Sequence, residues 1–299
     1  MSTSQFDLTN APSLTNLEFG ISSPTFLMCP PRLYDVDYVI NPWMAGNVHC
    51  SSRAHACEQW ERLYEAVSAV ARVELIEPQP GSPDMVFTAN AGLERNGVVA
   101  VSSFFHPERQ GEESHFRRWF HQAGYTVIDI PRTTPFEGEG DALFSVDGRC
   151  LWVGHGPRTS LSSHRALREA WGIPVVPLHL IDPRFYHLDT CFAPLEDDYI
   201  LYFPDAFDHV SLRYIEVFYP PEKRILVCEA DAVSFACNSI NVGRTIILNT
   251  ISDNLSRRLE RLGFNVVQVE LTEFLKAGGA AKCLVMKISP STLSNETKN

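Results

Sequence analysis

The sequence predicts an α/β fold in which five similar units close into a ring. A helix-like amphipathic segment, a short turn and a β-branched strand recur five times along the chain. The turn residues before these strands lie 52, 48, 51 and 40 residues apart, and they are Arg72, Gly124, Gly172, Lys223 and Gly263. Such regular spacing indicates an internal repeat, with one supersecondary unit per repeat.

Each unit is predicted to hold one helix and two or three strands. Apolar periodicity predicts helices over residues 52–70, 110–122, 161–171, 209–218 and 254–262. The strands after the turns read ARVELIEP, AGYTVIDIP, WGIPVVPLH, EKRILVCEA and LGFNVVQVE, and further strand signals are MVFTANAGLE, GVVAVSSF, ALFSVDGRCLWVG, DDYILYF and TIILNT. A doubly wound parallel sheet is the rival arrangement, but no G-x-G-x-x-G follows a strand.

One domain is expected over residues 1–299, with a loose polar leader at 1–20 and a polar tail at 290–299. The chain shows no linker long or polar enough to divide it. No apolar run reaches the roughly 18 residues of a membrane-spanning helix, and the N-terminus lacks the basic and apolar regions of a signal peptide. We therefore expect a cytoplasmic protein with no membrane partner.

Composition narrows the class of partner. Lys and Arg number 25 against 36 Asp and Glu, a net charge of −11, whereas nucleic-acid binding depends on clustered cations. We expect no nucleic-acid partner and a small cation as the more natural ligand. The eight cysteines show neither C-x-x-C pairs nor zinc spacing, so we expect no disulfide framework, no metal and no cofactor. The sequence leaves a homo-oligomer open.

The segment AGGAAKCLVMKI, residues 277–288, places Cys283 beside Lys282 and after Gly278 and Gly279. A thiolate is the reactive form of cysteine, and a nearby cation lowers its pKa. The glycines allow the backbone to bend sharply beside a substrate. Cys283 is therefore a candidate nucleophile; a buried cysteine on a final strand is the other interpretation.

Two acidic motifs supply further candidates. In YHLDTCF, His187 and Asp189 share one face of an extended strand and can act as base and electrostatic partner, or simply face water. In PFEGEGDALF, the carboxylates of Glu137, Glu139 and Asp141 repel one another unless a cation joins them. A cationic substrate, a Mg²⁺ or Ca²⁺ loop without EF-hand spacing, and a solvated turn all fit this loop.

Polar residues near the ends of apolar segments form a weaker set. Asn41 stands in YVINPWMAGN, and Phe87 and Asn90 stand in PDMVFTANAGL. Asparagine often only makes turns, so these residues are substrate-binding candidates on position alone. His155 and Arg158 share the loop VGHGPRTS, to which we assign no role.

Arg109 precedes a predicted helix in FFHPERQGEESHFRRWF. Its guanidinium fits a substrate carboxylate in bidentate fashion. Pairing at the surface with Glu112 or Glu113 is an equal alternative.

The order FEGEGD, HLDT and a Gly-rich segment ending in Cys resembles the pentein superfamily of guanidine-modifying enzymes. That group includes arginine deiminases, dimethylarginine dimethylaminohydrolases and amidinotransferases, and its fold is a five-fold pseudosymmetric α/β propeller. The resemblance covers residues 26–288. MCPPRLYDVDYVINPWM, PDMVFTANAG and GGAAKC resemble the arginine dihydrolase domain of cyanobacterial arginine-degrading enzymes, which often carry a second, C-terminal domain.

The resemblance implies roles for the catalytic candidates. Cys283 matches the nucleophile, and His187 matches the general acid/base with Asp189 as its acidic partner. Glu137 and Asp141 match the acidic loop that binds the guanidinium.

Substrate-binding roles follow in the same way. Arg109 matches an arginine that holds the substrate α-carboxylate, and Asn41 and Asn90 match substrate-binding positions. Deiminases usually read F-T-R-D where this chain reads F-T-A-N over residues 87–90, so the neutral Asn90 stands where their aspartate grips the guanidinium. They also often have His or Arg where this chain has Lys282.

The function implied is hydrolysis of L-arginine to L-ornithine, two ammonia and carbon dioxide through a covalent intermediate on cysteine. The neutral Asn90 favours this outcome, since it weakens the preference for a cation over a ureido group. A deiminase or dimethylarginine dimethylaminohydrolase giving citrulline is the first alternative, and an amidinotransferase using an acceptor amine is the second. A non-catalytic arginine-binding module is the third.

Overall fold

A computed structural model describes residues 24–290, and its frame is a set of five three-stranded sheets. The leader predicted at residues 1–20 and the tail beyond residue 290 lie outside the described residues. The strands are β1 (Thr25–Met28), β2 (Arg72–Leu75), β3 (Gly92–Arg95), β4 (Val98–Val101), β5 (Thr126–Asp129), β6 (Ala142–Phe144), β7 (Leu151–His155), β8 (Val175–His179), β9 (Phe192–Leu195), β10 (Tyr199–Tyr202), β11 (Arg224–Leu226), β12 (Ile240–Val242), β13 (Thr245–Leu248), β14 (Asn265–Gln268) and β15 (Met286–Ile288).

All five sheets follow one plan. A central strand pairs antiparallel with one neighbour and parallel with the other, and the orders are β15-β1-β2, β3-β4-β5, β6-β7-β8, β9-β10-β11 and β12-β13-β14. A parallel pair needs a long crossover connection, and a helical segment makes that connection in every unit. The helices are α1 (Arg53–Ser68), α2 (Pro107–Gln110), α3 (Glu112–Gln122), α4 (Gly138–Asp141), α5 (Ser163–Trp171), α6 (His209–Phe218), α7 (Glu229–Val233), α8 (Asp253–Arg261) and α9 (Thr272–Leu275).

The two ends of the described chain meet in a single sheet. β15, the last strand, pairs antiparallel with β1, with Thr25 opposite Ile288. β1 also runs parallel with β2, so this sheet takes strands from both ends. Five repeated units joined in this way confirm the predicted ring of α/β units.

The five longer helices, α1, α3, α5, α6 and α8, occupy the segments that the sequence predicted. Side-chain oxygens of Ser52, Asp208 and Ser252 accept a backbone N–H in the first turn of α1, α6 and α8, which satisfies donors that a helix start leaves free. Gly172 and Gly263 follow α5 and α8 at φ values of +64° and +87°. These left-handed turns need glycine and send the chain back toward the sheet.

Three segments predicted as extended strands contain 3₁₀ turns instead. The segment MVFTANAGLE overlaps two 3₁₀ turns, at Pro83–Val86 and Thr88–Ala91. The motif HLDT contains a third at Leu188–Thr190, and the segment before β15 contains a fourth at Lys282–Leu284. Residues 82–94 are all buried, so their apolar character reflects burial and not strand pairing. Periodicity alone does not separate the two.

Apolar side chains from sheets and helices form four buried clusters. α1 contributes Ala56, Trp60, Leu63 and Val67, one face of the helix at helical spacing. Within residues 24–290, no helix is both long and apolar enough to cross a lipid bilayer.

Candidate active site

The predicted catalytic residues come from one recurring place in the fold. In each sheet a short turn precedes the strand that pairs antiparallel with the central strand. These turns bring together side chains that are at most 2% exposed: Asn90 before β3, Glu137 and Asp141 before β6, His187 and Asp189 before β9, and Cys283 before β15. The repeat therefore concentrates polar groups from distant parts of the sequence.

Cys283 and Asp189 form the first pair. The thiol lies 3.4 Å from Oδ2 of Asp189, to which it donates a hydrogen bond. Burial raises the pKa of Asp189 to about 7, although the Lys282 cation works against this rise. Burial and the charge of Asp189 also raise the pKa of Cys283 well above its usual value. These raised pKa values favour the protonated form of both groups.

His187 and Glu137 form the second pair. Nε2 of His187 lies 2.7 Å from Oε2 of Glu137, which also accepts a hydrogen bond from Arg158 at 3.1 Å. The other carboxylate oxygen accepts the N–H of Phe105. Burial would raise the pKa of Glu137, but Arg158 and His187 outweigh it and hold the pKa below its usual value. Glu137 is thus a fixed negative charge against the imidazole.

These pairs differ from the partners expected of the H-x-D motif. The sequence predicts that His187 and Asp189 act together from one strand face, with Glu137 and Asp141 kept for a guanidinium. Because Leu188–Thr190 is a 3₁₀ turn, Asp189 points at Cys283, and Glu137 from the acidic loop is the residue that touches His187. The expected partnership between His187 and Asp189 is therefore corrected.

Asp141 has a backbone partner. Its Oδ1 accepts the N–H of Leu188 at 3.0 Å, inside the turn between His187 and Asp189. Burial raises its pKa to about 6. Asp141 does not line the cavity beside Cys283, so its observed place is behind the turn, whereas the sequence predicts a substrate contact.

A small cavity opens beside the sulfur of Cys283. Its lining includes four further residues predicted from the sequence, and the full set is Ile40, Asn41, Met44, Asp84, Phe87, Asn90, Arg109, Arg158, Tyr186, Ala277 and Cys283. Asn41 accepts the N–H groups of Trp43 and Met44 and donates to the carbonyl of Ala277. This amide therefore links the segment before α1 to the loop before Cys283.

Glycine is required in that loop. Gly278 adopts a φ of +83°, and a Cβ there would lie 2.9 Å from the Tyr186 hydroxyl. A Cβ on Gly279 would lie 2.6 Å from the ring of Phe87 and 3.2 Å from the Cβ of Cys283. The contacts at 2.9 and 2.6 Å are closer than side chains tolerate, so the two glycines let the backbone pass close to Tyr186, Phe87 and Cys283.

Arg109 is buried, with its guanidinium already bonded. Nε and Nη2 donate to the Glu112 carboxylate at 2.9 and 2.8 Å, and Nη1 donates to Oδ1 of Asn90 at 2.8 Å. Burial raises the pKa of Glu112 to about 7, against the opposing effect of Arg109. The alternative pairing of Arg109 with Glu112 is therefore present, but it lies in the interior and not at the surface, because only 3% of Arg109 is exposed. Its bidentate partner in the structure is Glu112.

Sequence reasoning gave no role to Arg158. It donates to Glu137 and to the carbonyl of Ile40, and its guanidinium lies 4.7 Å from the centre of the Tyr186 ring. Its loop was noticed from VGHGPRTS, but nothing in that motif points to Glu137.

Asn238 was missed altogether, although it contacts the sulfur of Cys283 at 3.1 Å. The signal that finds it is its register in the repeat, just before β12. Lys282, whose role was left open, donates to Glu139 at 2.8 Å.

The residues that could together hold a metal ion lie away from this cavity. Only one set of three or more His, Cys, Asp or Glu residues in the described part of the chain has its donor atoms within 4.8 Å of one another, and it consists of Asp35, Asp37 and His49. None of the three lines the cavity beside Cys283.

Comparisons with known proteins identify the family of this chain. The model of the family described as N,N dimethylarginine dimethylhydrolase, eukaryotic, matches residues 42–289. The bifunctional arginine dihydrolase/ornithine cyclodeaminase AgrE of Nostoc sp. is 56% identical over 88% of this chain and 38% of its own length. ArgZ of Synechocystis sp., described in the same words, is 55% identical over 89% of this chain and 38% of its own length. The chain thus spans well under half the length of these two relatives.

A relative of similar length and a solved structure also match this chain. The N(G),N(G)-dimethylarginine dimethylaminohydrolase of Mycobacterium tuberculosis is 37% identical over 89% of this chain and 86% of its own length. The crystal structure of the N-terminal domain of ArgZ, a cyanobacterial arginine dihydrolase, in a cysteine-to-serine variant bound to substrate, matches with a TM-score of 0.88 and 55% identity, covering 88% of this chain and 97% of that one. The chain therefore belongs to the pentein family of guanidine-modifying enzymes, with the dimethylarginine dimethylaminohydrolases and the dihydrolase domains of ArgZ and AgrE.

Proposed function

We propose that this protein hydrolyses L-arginine to L-ornithine, two ammonia and carbon dioxide through a covalent intermediate on Cys283. The observation that carries this proposal is the 3.4 Å contact between the Cys283 thiol and the Asp189 carboxyl group. A sulfur nucleophile and an acidic group suited to a guanidinium thus lie side by side. ArgZ and AgrE support the same reaction: both are described as arginine dihydrolases, and structures of the N-terminal domain of ArgZ hold substrate, a covalently bound intermediate and product.

We assign the guanidinium of the substrate to Asp189. A cation brought beside the two protonated groups favours the ionised form of each, since an opposite charge lowers the pKa of a carboxyl group and of a thiol. Arginine would therefore switch the site from a neutral pair to a carboxylate and a thiolate. Ionisation of Cys283 would therefore depend on a positively charged substrate beside it.

His187 moves the protons in the first half of the reaction. It takes the thiol proton of Cys283, the sulfur adds to the guanidino carbon, and His187 returns the proton to the departing nitrogen. Ammonia leaves and an S-alkylthiouronium remains on the sulfur. Glu137, which stays ionised, stabilises the protonated imidazole at 2.7 Å.

Hydrolysis of the S-alkylthiouronium completes the first half of the reaction. His187 accepts a proton from water, and the resulting hydroxide adds to the thiouronium carbon. The carbon–sulfur bond breaks, His187 returns its proton to the sulfur of Cys283, and the proton of the added hydroxyl passes to the Asp189 carboxylate as the carbonyl forms. A neutral ureido group, that of citrulline, is left in the site.

We assign Asn90 to the second half of the reaction, in which the ureido group is hydrolysed. Its Oδ1 accepts from Arg109, which leaves Nδ2 as the donor facing the other turns, 3.5 Å from the carbonyl of Glu137. An amide N–H donates well to a urea oxygen, so citrulline is retained. The sulfur of Cys283 adds to the ureido carbon and a second ammonia leaves. Hydrolysis of the thiocarbamate gives a carbamate, which loses carbon dioxide to yield ornithine.

The other end of the substrate needs a cationic partner for its α-carboxylate. We keep Arg109 in this role, because Glu112 holds the Nε edge of its guanidinium while Nη1 faces Asn90 and the cavity. Asn41 and Phe87 form walls on either side of the loop before Cys283. Asp141 is assigned to holding the turn that carries His187 and Asp189.

Product counting tests the proposal. Purified protein is incubated with L-arginine and no added amine, and ammonia, citrulline and ornithine are quantified against arginine consumed. We expect two ammonia and one ornithine per arginine, and turnover of added citrulline. One ammonia and a stoichiometric yield of citrulline would favour a deiminase instead, and dependence on an acceptor amine would favour an amidinotransferase. An absence of turnover with any guanidino substrate would overturn the assignment to hydrolysis.

A further inference from the structure

The repeat has five turns before antiparallel strands, and four of them carry the residues assigned above. The fifth turn lies before β12, and the residue there is Asn238, two positions before the strand begins. Asn90 stands two positions before β3 in the same way. Asn238 is 0% exposed.

Backbone contacts fix the orientation of the Asn238 amide. Its Oδ1 accepts the N–H groups of Ala280 at 3.2 Å and Cys283 at 3.1 Å. Two backbone donors on the same atom identify it as the oxygen, because an NH₂ group cannot accept. Both hydrogens of Nδ2 must therefore point the other way.

The acceptors on that side belong to Asp189 and Cys283. Nδ2 of Asn238 lies 3.2 Å from the backbone carbonyl of Asp189 and 3.1 Å from the sulfur of Cys283. The carbonyl of Asn238 also accepts the N–H of Lys282 at 3.3 Å. One side chain thus spans the Asp189 turn and the Cys283 turn, and it is a hydrogen-bond donor to the attacking atom.

We propose that Asn238 stabilises the Cys283 thiolate by donating an Nδ2–H hydrogen bond to its sulfur while Oδ1 fixes the backbone on which that sulfur stands. This rests on the proposed function, in which the thiolate is the nucleophile. A hydrogen bond to the charged form of a group favours that form, and bonds to an ion are stronger than neutral ones. Asn238 therefore opposes the carboxylate of Asp189, which disfavours a neighbouring negative charge.

The substitution Asn238→Asp separates this role from simple packing. It preserves the shape and the oxygen that accepts from Ala280 and Cys283, but it replaces the donor beside the sulfur with an acceptor. Asn238→Ala removes the donor without adding a charge. Asn249→Asp is the matched control, because Asn249 is buried and likewise bonds one backbone N–H and one backbone carbonyl, of Leu271 and Ser234.

The readout is the rate at which iodoacetamide alkylates Cys283 across a pH series, followed by peptide mass spectrometry. The exposed Cys50 and Cys228 serve as internal references in every sample. We expect alkylation of Cys283 in Asn238→Asp to be at least about tenfold slower at neutral pH, the effect of one pKa unit, with a smaller loss in Asn238→Ala and none in Asn249→Asp. Folded variants with unchanged rates would overturn the inference.

A second measurement uses the unaltered chain and does not depend on a variant that folds. The side-chain amide resonance of Asn238, in ¹⁵N-asparagine-labelled protein, is expected to shift when Cys283 is ionised or alkylated. A resonance that stays fixed through alkylation would contradict a bond to the sulfur. Neither readout requires turnover, so a failure here leaves the arginine assay standing, and a failure of that assay leaves this bond testable.

Discussion

The carboxyl group of Asp189 lies 3.4 Å from the sulfur of Cys283, and the two residues are 1% and 2% exposed. Burial disfavours the charged form of each and so opposes the ionisation that the proposed reaction needs. A bound cation removes that resistance. In the proposed reaction, the positive charge of the substrate thus helps to ionise Cys283.

Asn90→Asp is expected to shift the products from ornithine toward citrulline. A carboxylate there pairs with Arg109 and favours a cation over a neutral ureido group, so citrulline leaves before the second attack. We expect at least about a tenfold fall in the ratio of ornithine to citrulline, equivalent to about 1.4 kcal/mol. Liquid chromatography with mass spectrometry measures the ratio, and the exposed Asn265→Asp is the control. Ornithine as the sole product of Asn90→Asp would contradict this role.

Lys282→Met is expected to move the acidic limb of the pH–kcat/KM profile to higher pH. Burial raises the pKa of Asp189 to about 7, and the Lys282 cation opposes that rise. Without the cation the pKa of Asp189 increases further, so its carboxylate forms only at higher pH. We expect a displacement of about one pH unit.

Lys287→Met is the control for that profile, since Lys287 is exposed and close in sequence. A Lys282→Met profile that overlays the wild-type curve would show that this cation does not act on Asp189.

Asp189→Asn is expected to flatten the dependence of folding stability on pH. The pKa of Asp189 is about 7 in the folded chain, above its usual value of 3.8. The stability gained from this raised pKa is fully present below pH 3.8 and is lost as pH rises through about 7. A difference of one pKa unit between the folded and unfolded chain corresponds to about 1.4 kcal/mol of folding free energy.

Urea unfolding at about pH 5 and about pH 8 measures whether the free energy of unfolding falls as pH rises, as it must when the folded chain binds more protons than the unfolded chain. The free energy of unfolding should fall less between these values in Asp189→Asn than in wild type, whereas the exposed Asp253→Asn should behave as wild type. An equal or steeper fall in Asp189→Asn would mean that Asp189 is ionised at low pH in the folded chain.

Much of the fold could be predicted because the repeat is written into the sequence as turn-and-strand units at regular spacing. The five longer helices follow apolar periodicity, and their predicted ranges agree with the structure to within two residues at each end. The 3₁₀ turns were not predictable from pattern, because segments such as 83–91 are apolar through burial and carry no strand ladder.

The site was partly predictable, because Cys283, His187, Glu137 and Asp189 belong to unusual motifs. Their pairing was not, since the i, i+2 rule assumes a strand where Leu188–Thr190 makes a turn. That turn separates His187 from Asp189 and gives each a different partner. Asn238 escaped notice because a lone asparagine ordinarily indicates a turn, and only its place in the repeat marks it.

The most direct test of the central claim is ammonia release by Cys283→Ser saturated with arginine. An alcohol is a far weaker nucleophile than a thiolate at neutral pH, so the variant should bind arginine in calorimetry yet release no ammonia. Cys237→Ser, at another buried cysteine, should keep its activity. Undiminished ammonia release from Cys283→Ser would contradict covalent catalysis by this sulfur.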